Sequence, residues 1–250
     1  MDLGNVLIVY RTKEKKRLGK ILSILKSKNI AYAAVERLKV KTTHVTGKDL
    51  VIAFGGDGTF LKAASIIKDS TPILGVDSNP GTREAYYSRA NVNTFSQKIN
   101  KKFKIVSLQR LEVSINGKTL PRLALNEFLI TTAKPYHTVL LCLEGNYLKS
   151  SGILVGTGSG SSAWIKSAGG KKLPLSSKKF QFVVREPYIG KLHTPQKVKG
   201  ILEHHKTLHI VACMKSGILV PDSSDDVTYF NKDDKIEIKM SEFPIQFVEV

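Results

Sequence analysis

Hydrophobic and polar positions follow two rhythms along the chain, and the change between them falls near residue 100. In the first part, continuous apolar runs are separated by amphipathic stretches. Val6 to Tyr10 is an uninterrupted apolar run, the pattern of a strand covered on both faces. Leu18, Ile21, Leu22 and Leu25 then recur at i, i+3, i+4 and i+7, which predicts one face of a helix. Ile30 to Val35 and Leu50 to Phe54 predict two further strands, Phe60 to Ile67 a helix, and "TPILGV" a short strand. Strand–helix–strand alternation at this spacing predicts a Rossmann-like parallel sheet with helices packed on it.

Beyond residue 100 the period drops to two. "KIVSLQRLEVSINGK" alternates and ends in Asn116-Gly117, the dipeptide favoured at a two-residue hairpin turn. "LALNEFLITT", "HTVLLCLEG", "SGILVGT", "KFQFVVRE" and "TLHIVACM" follow as short β-rich runs, with a short helix fitting only around Ser161 to Ala168. These runs predict an antiparallel, mostly β domain. The expected division is an α/β nucleotide-binding domain over 1–98 and a β-rich domain over 99–234. The tail from about 235 to 250 is strand-like and suits either half, including packing back on the first domain. There is no internal repeat and no low-complexity linker.

Length and composition allow one large folded domain or two of ordinary size. The 250 residues are 42% hydrophobic and 24% charged, enough for a real core and unlike a disordered chain. No apolar run approaches the ~18–20 residues that span a bilayer, so no membrane role is expected. "MDLGNVLIVYRTKEKK" lacks a basic segment before its apolar run and a small-residue cleavage site, so it reads as a strand rather than a signal peptide. Cys142 and Cys213 sit in apolar runs without metal-ligand spacing and read as buried free thiols. They fit a reducing cytoplasm, with a mitochondrial location as the alternative should a transit segment precede this sequence. The net charge of +18 creates a field that attracts polyanions. Its lysines are dispersed, without an RNA-binding aromatic motif, zinc-finger spacing or helix-turn-helix signature, so nucleic acid is not the favoured partner.

The chemistry concentrates in "VIAFGGDGTFLKAA", residues 51–64. A turn between a parallel strand and a helix N-terminus lies where such sheets bind ligands, and the helix dipole favours a phosphate there. Gly55, Gly56 and Gly58 permit positive φ and close ligand approach, and Thr59 can cap the helix or touch a phosphate. No Gly-Lys-Ser/Thr occurs, and Leu61 breaks the Gly-x-Gly-x-x-Gly pattern, so neither a P-loop NTPase nor an ordinary dehydrogenase is indicated. Asp57 is unfavourable beside phosphates unless it performs a task. In phosphoryl transfer such a carboxylate orients the attacking hydroxyl and accepts its proton. Its structural alternative is a turn aspartate that accepts backbone N–H groups.

Gly-Gly-Asp-Gly-Thr resembles the signature of a kinase superfamily that contains NAD kinases and the diacylglycerol and sphingosine kinases. Two later stretches narrow the resemblance to the NAD kinase family, over Val6 to about Asp222. "LALNEFLI" is similar to its Asn-Glu motif, and "SGILVGTGSGSSAWIKSAGG" to its long motif ending Ser-Ala-Gly-Gly. The resemblance implies phosphorylation of the 2′-hydroxyl of the adenosine ribose of NAD by ATP, with Mg2+ on the ATP, or by polyphosphate. It makes Asp57 the base, with Gly58 beside it, and places Asn126 and Glu127 on a ribose. Ser159, Ser162, Ala163, Trp164 and Ser167 then line the NAD pocket, while Gly55, Gly56, Gly58, Thr59 and Arg83 face phosphates. It further implies a homo-oligomer, dimer or tetramer, with shared sites.

Several positions depart from the family pattern. Ser151 stands for an acidic residue, Gly158 for a proline, predicting a less rigid loop, and Trp164 for a tyrosine. "SNPGTREAYYS" resembles the divergent mitochondrial-type branch, with Arg83 and Glu84 as phosphate or ribose contacts or as a solvated pair. Asp222 corresponds to the family's late aspartate, followed by Ser223 instead of glycine. A lipid kinase of the diacylglycerol or sphingosine type, and a catalytically weak nucleotide-binding regulator of the same fold, are the alternatives.

Overall fold

A computed structural model describes residues 3–191 and 194–250; the first two residues of the expected 1–98 domain lie outside it. The chain forms two compact units, residues 1–107 with 243–250, and residues 108–242. Among the described residues no helix is long and apolar enough to cross a membrane.

The first unit is built on β1 (Asn5–Tyr10), β2 (Ala31–Glu36), β3 (Leu50–Gly55), β4 (Ile73–Asp77), β5 (Ser88–Asn91), β6 (Lys104–Leu108) and the last strand of the chain, β19 (Ile245–Glu249). They form one sheet in the order β2-β1-β3-β4-β19-β6, with β5 also pairing β4. The pairs β1/β2, β1/β3, β3/β4, β4/β5 and β4/β19 are parallel. Every residue of β3 and β4 is buried, as continuous apolar runs require when both faces are covered. Helix α1 (Lys15–Ser27) buries Leu18, Ile21 and Leu25 on one face with Val6, Ile8, Ile52 and Val248. Helix α2 (Asp57–Ile66) covers the other face: its Phe60 meets Phe247, which points opposite to Val248. A short α3 (Phe95–Lys98) joins the α1 side.

The second unit contains two six-stranded antiparallel sheets. The strands are β7 (Leu111–Ile115), β8 (Lys118–Thr119), β9 (Glu127–Thr131), β10 (Val139–Leu143), β11 (Asn146–Ser150), β12 (Gly152–Gly156), β13 (Phe180–Arg185), β14 (Lys199–Leu202), β15 (Thr207–Ala212), β16 (Ser216–Pro221), β17 (Thr228–Asn231) and β18 (Lys235–Met240). One sheet runs β11-β10-β15-β18-β7-β8, the other β14-β13-β12-β9-β16-β17. Their inner faces share one apolar cluster that includes Val113, Phe128, Ile130, Leu141, Ile153, Phe182, Leu208 and Ile238. A four-residue α4 (Trp164–Ser167) follows a 3-10 turn at Gly160–Ser162, within the expected 161–168. Asn116 and Gly117 both adopt positive φ, 52° and 77°, closing the β7/β8 hairpin.

Three details differ from the sequence reading. The boundary lies at 107/108 rather than 98/99, because β6 joins the parallel sheet beside β19 and only β7 enters the antiparallel one. The tail divides: β18 pairs β7 and β15, and the return to the first unit begins at Phe243 rather than 235. Cys142 and Cys213 are half-buried, because Leu141, Leu143 and Ala212 take the inward positions of their strands and leave the thiols on the outer face.

Candidate functional site

Each unit assembles one cluster of the candidate residues. In the first, β3 ends at Gly55, Gly56 caps α2 in extended conformation (φ −109°), and Asp57 is the first helical residue. None of Gly55, Gly56 and Gly58 uses the positive φ that glycine permits. At Gly55 and Gly56 the reason for glycine is close packing. A Cβ on Gly55 would lie 2.4 Å from Thr59 Oγ1, and one on Gly56 would lie 2.8 Å from Arg83 Cδ. Thr59 is buried beneath Gly55, and its hydroxyl has no hydrogen-bond partner among the described residues. It makes no capping bond.

Asp57 is half-buried, and its carboxylate is anchored from the loop after β4. Oδ2 accepts the Tyr86 N–H at 3.1 Å and Oδ1 the Tyr87 N–H at 3.0 Å. The loop presents both amides after Ala85, which sits at φ 48°, and Tyr87 is stacked on Phe60 at 4.5 Å. Two N–H bonds leave acceptor capacity on both oxygens. The positive end of the α2 dipole lies beside the same carboxylate.

Arg83 crosses Gly56 and is engaged by protein. Its Nε donates to Asp77 Oδ1 at 3.0 Å, its Nη2 to Ser78 Oγ at 2.6 Å, and Nη1 stands 3.7 Å from Glu14. Glu14, Asp77 and Ser78 are buried, and Arg17 also bonds Glu14 at 2.9 Å. Burial pushes the Glu14 carboxyl up, but hydrogen bonds from Arg17 and Ser78 and the charge of Arg83 outweigh it and hold it below the usual range. Glu84 is exposed.

In the second unit, Asn126 and Glu127 are buried at the start of β9. Asp222 faces them, accepting N–H bonds from Leu125 (2.9 Å), Asn126 (2.6 Å) and Glu127 (3.3 Å). Arg110 is 1% exposed and electrostatically coupled to Asp222. Burial, reinforced by the Asp222 charge, pushes the Glu127 carboxyl up to about 8. Burial raises Asp222 to about 6 against the opposing pull of its three N–H donors and Arg110. Burial lowers Arg110 to about 10, and the Asp222 charge partly offsets this. Glu127 therefore carries its proton at neutral pH, and its Oε2 is buried without a partner among the described residues.

The Gly-rich stretch after β12 packs on the same backbone. Gly160 abuts Asn126, whose carbonyl oxygen would lie 2.1 Å from an added Cβ. Gly158, where the resemblance expects proline in a stiffer loop, is wedged 2.2 Å (as Cβ) from the Pro174 oxygen, so packing leaves no space for a ring. Ser159 is buried and its hydroxyl has no partner among the described residues, Ser162, Ala163 and Trp164 are half-buried, and Ser167 is exposed. The Arg185 guanidinium covers the Trp164 ring at 4.9 Å. Ser151, where the family pattern has an acidic residue, donates its hydroxyl to the exposed carboxylate of Glu186.

A family model described as the ATP-NAD kinase N-terminal domain matches residues 8–104, and one for the ATP-NAD kinase C-terminal domain matches residues 99–250. The chain belongs to the ATP-NAD kinase family. Within it, the chain is 28% identical to a probable NADH kinase of Oryza sativa subsp. japonica over 260 residues, covering 92% of this chain and 79% of that one. It is 27% identical to an NAD kinase of Methanosarcina barkeri, covering 86% and 78%. An NAD kinase from Archaeoglobus fulgidus, solved with ATP, shares the fold with a TM-score of 0.78 at 22% identity, over 97% of this chain and 92% of that one. Yeast NADH kinase, solved with NADH, does so with a TM-score of 0.81 at 16% identity, over 100% and 84%.

Sequence reasoning missed the residues that hold these ATP-NAD kinase motifs in place: Glu14, Asp77, Ser78, Arg110 and Thr157. One signal was available for Arg110. Gln109-Arg110 interrupts the period-two pattern between two strands, and a charged residue flanked by core leucines needs a buried partner.

Proposed function

We infer that this chain is an NAD kinase, transferring the γ-phosphoryl group of ATP to the 2′-hydroxyl of the adenosine ribose of NAD, giving NADP and ADP. The observation that carries the reading is the pair of family matches over residues 8–104 and 99–250, with Asp57 anchored on the Gly-Gly-Asp-Gly-Thr turn. Relatives named as NAD and NADH kinases support it and leave the lipid-kinase alternative without support.

In this reading Asp57 orients the 2′-hydroxyl and takes its proton while the oxygen bonds to phosphorus, and ADP leaves with the electrons of the broken P–O bond. Gly55, Gly56 and Gly58 let phosphates approach the α2 N-terminus. Arg83, already paired with Asp77, contributes charge behind the turn, as its guanidinium is committed to Asp77 and Ser78. Asn126, with Glu127 as a neutral acid that both donates and accepts, suits a ribose diol. Ser159, Ser162, Ala163, Trp164 and Ser167 border the nucleoside, with Trp164 offering the ring face not covered by Arg185. Mg2+ enters as part of the MgATP substrate, where a divalent ion offsets the phosphate charge. A homo-oligomer and a cytoplasmic location complete the reading.

The test is NADP(H) formation by the purified chain, with NAD and NADH as acceptors and MgATP and polyphosphate as donors, each offered separately. Nucleotide binding without product under any donor would make the chain the non-catalytic regulator instead.

A further inference from the structure

We propose that Asp222 is a positioning residue that sets the backbone of Leu125–Glu127 and thereby aims Asn126 and Glu127 at the dinucleotide. The proposal rests on the reading of Asn126 and Glu127 as dinucleotide ligands.

The pairing of β9 with β16 ends at Phe128 opposite Pro221, although β12 still pairs Glu127 on the other edge, so on the β16 side no strand partner meets the N–H groups of residues 125–127. A side chain takes over. Asp222 accepts three consecutive backbone N–H groups, from Leu125, Asn126 and Glu127, and returns its own N–H to the Glu127 carbonyl at 2.9 Å. Asp222 and Ser223 both adopt left-handed conformations, φ 50° and 51°, and this turns the chain out of the strand direction beside residues 125–127. Non-glycine residues seldom occupy that region, and two in succession persist only where surrounding contacts compensate.

The carbonyl side is held just as completely. Thr157 donates its hydroxyl to Leu125 O at 2.5 Å and its N–H to Asn126 O at 2.9 Å, and Gly160 closes on the same peptide. Residues 125–127 thus have their N–H groups fixed by one carboxylate and two of their carbonyls by one threonine. Side chains leaving such a backbone have their directions set before a ligand arrives, which lowers the ordering cost of binding.

A buried carboxylate is costly to maintain without compensation. Arg110, 1% exposed in the break between β6 and β7, is coupled to Asp222 and provides the opposite charge. An ordinary ladder would avoid burying two charges, but it bonds successive N–H groups to neighbours on opposite edges. The charged arrangement is the one that can hold three successive amides at once, and that geometry is what the motif uses.

The test is D222N in the full chain, read by amide hydrogen exchange of residues 125–127 without ligand and by steady-state kinetics. The expected result is faster exchange of these amides, a tenfold or larger rise in KM for the dinucleotide that the parent phosphorylates, and a KM for ATP within twofold. Because Asp222 acts through Asn126, N126A combined with D222N should be no more than about threefold worse than the worse single variant. Unchanged exchange, an unchanged dinucleotide KM, or fully multiplicative effects would overturn the proposal. Should D222N not fold, R110M is expected to produce the same KM rise with R110K recovering most of it; R110M at parental KM would overturn the role of the counter-charge. If the parent makes no NADP(H), the functional reading fails, while the exchange of residues 125–127 still decides the clamp.

Discussion

The carboxylate of Asp57 is held by the backbone N–H of Tyr87, thirty residues downstream, at 3.0 Å. The parallel pairing of β3 with β4 brings the two together: Gly55 lies opposite Asp77, and the loop after β4 folds back over the start of α2. The two readings of this aspartate, turn acceptor and general base, are therefore compatible. Backbone amides fix where the carboxylate sits, and its remaining lone pairs stay available for a hydroxyl.

Asp57→Asn retains one oxygen for these amides and removes the proton acceptor. Turnover is expected to fall by about 100-fold or more, with the melting temperature and the affinity for ATP little changed. Steady-state NADP(H) formation beside a thermal melt checks this; near-parental turnover would remove Asp57 from the chemistry.

Arg83→Met leaves Asp77 and Glu14 buried with fewer compensating contacts, since Arg17 and Ser78 still reach Glu14 but the Arg83 charge is lost to both carboxylates. Breaking a buried ion pair from one side costs about 3–5 kcal/mol. Urea unfolding followed by a probe in the first unit should show that loss, with Arg83→Lys retaining part of it. A variant as stable as the parent would show that the guanidinium is dispensable to the fold of the turn.

Gly160→Ala places a Cβ 2.1 Å from the Asn126 carbonyl oxygen, and the obstacle is backbone rather than a flexible side-chain end. Overpacking of this kind costs about 1–3 kcal/mol. The variant should be destabilised and should bind the dinucleotide more weakly, because the displaced peptide carries the Asn126 side chain. Calorimetric titration with the dinucleotide and with ATP separates the two effects.

Glu127 imposes a pH dependence with a definite sign. Its carboxyl is pushed up to about 8 in the folded chain from an ordinary 4.5, so the folded state keeps a proton that the unfolded state releases. Its contribution to stability is full below the unfolded value and is lost as pH rises through the folded one, at a slope approaching about 1.4 kcal/mol per pH unit between them. Glu127→Gln should flatten that fall. Denaturant midpoints of the β-rich unit at several pH values from 5 to 9 measure it, and parallel curves for parent and variant would refute it.

The linear sequence determined the elements whose burial pattern is local. Continuous runs made β3 and β4 buried parallel strands, the 3.6-residue recurrence made α1 a helix, and period-two alternation with Asn116-Gly117 made the β7/β8 hairpin. It also located the chemistry, because Gly-Gly-Asp-Gly-Thr and Asn-Glu are contiguous. The rest depended on contacts between residues far apart in the chain. Whether Lys104–Leu108 begins the β sandwich or ends the parallel sheet is decided by β19, 137 residues beyond Leu108 at its first residue, since an edge strand takes the sheet that offers it a partner. Gly55 and Gly56 read as residues permitting positive φ and close ligand approach until Thr59 and Arg83 were seen packed against them. Asp222 read as one more site residue until its carboxylate was found on three amides some 95–97 positions earlier, with Arg110 coupled to it. Periodicity records which face of an element is buried; it carries no record of which distant charge or amide that face will meet, and only folding brings those together.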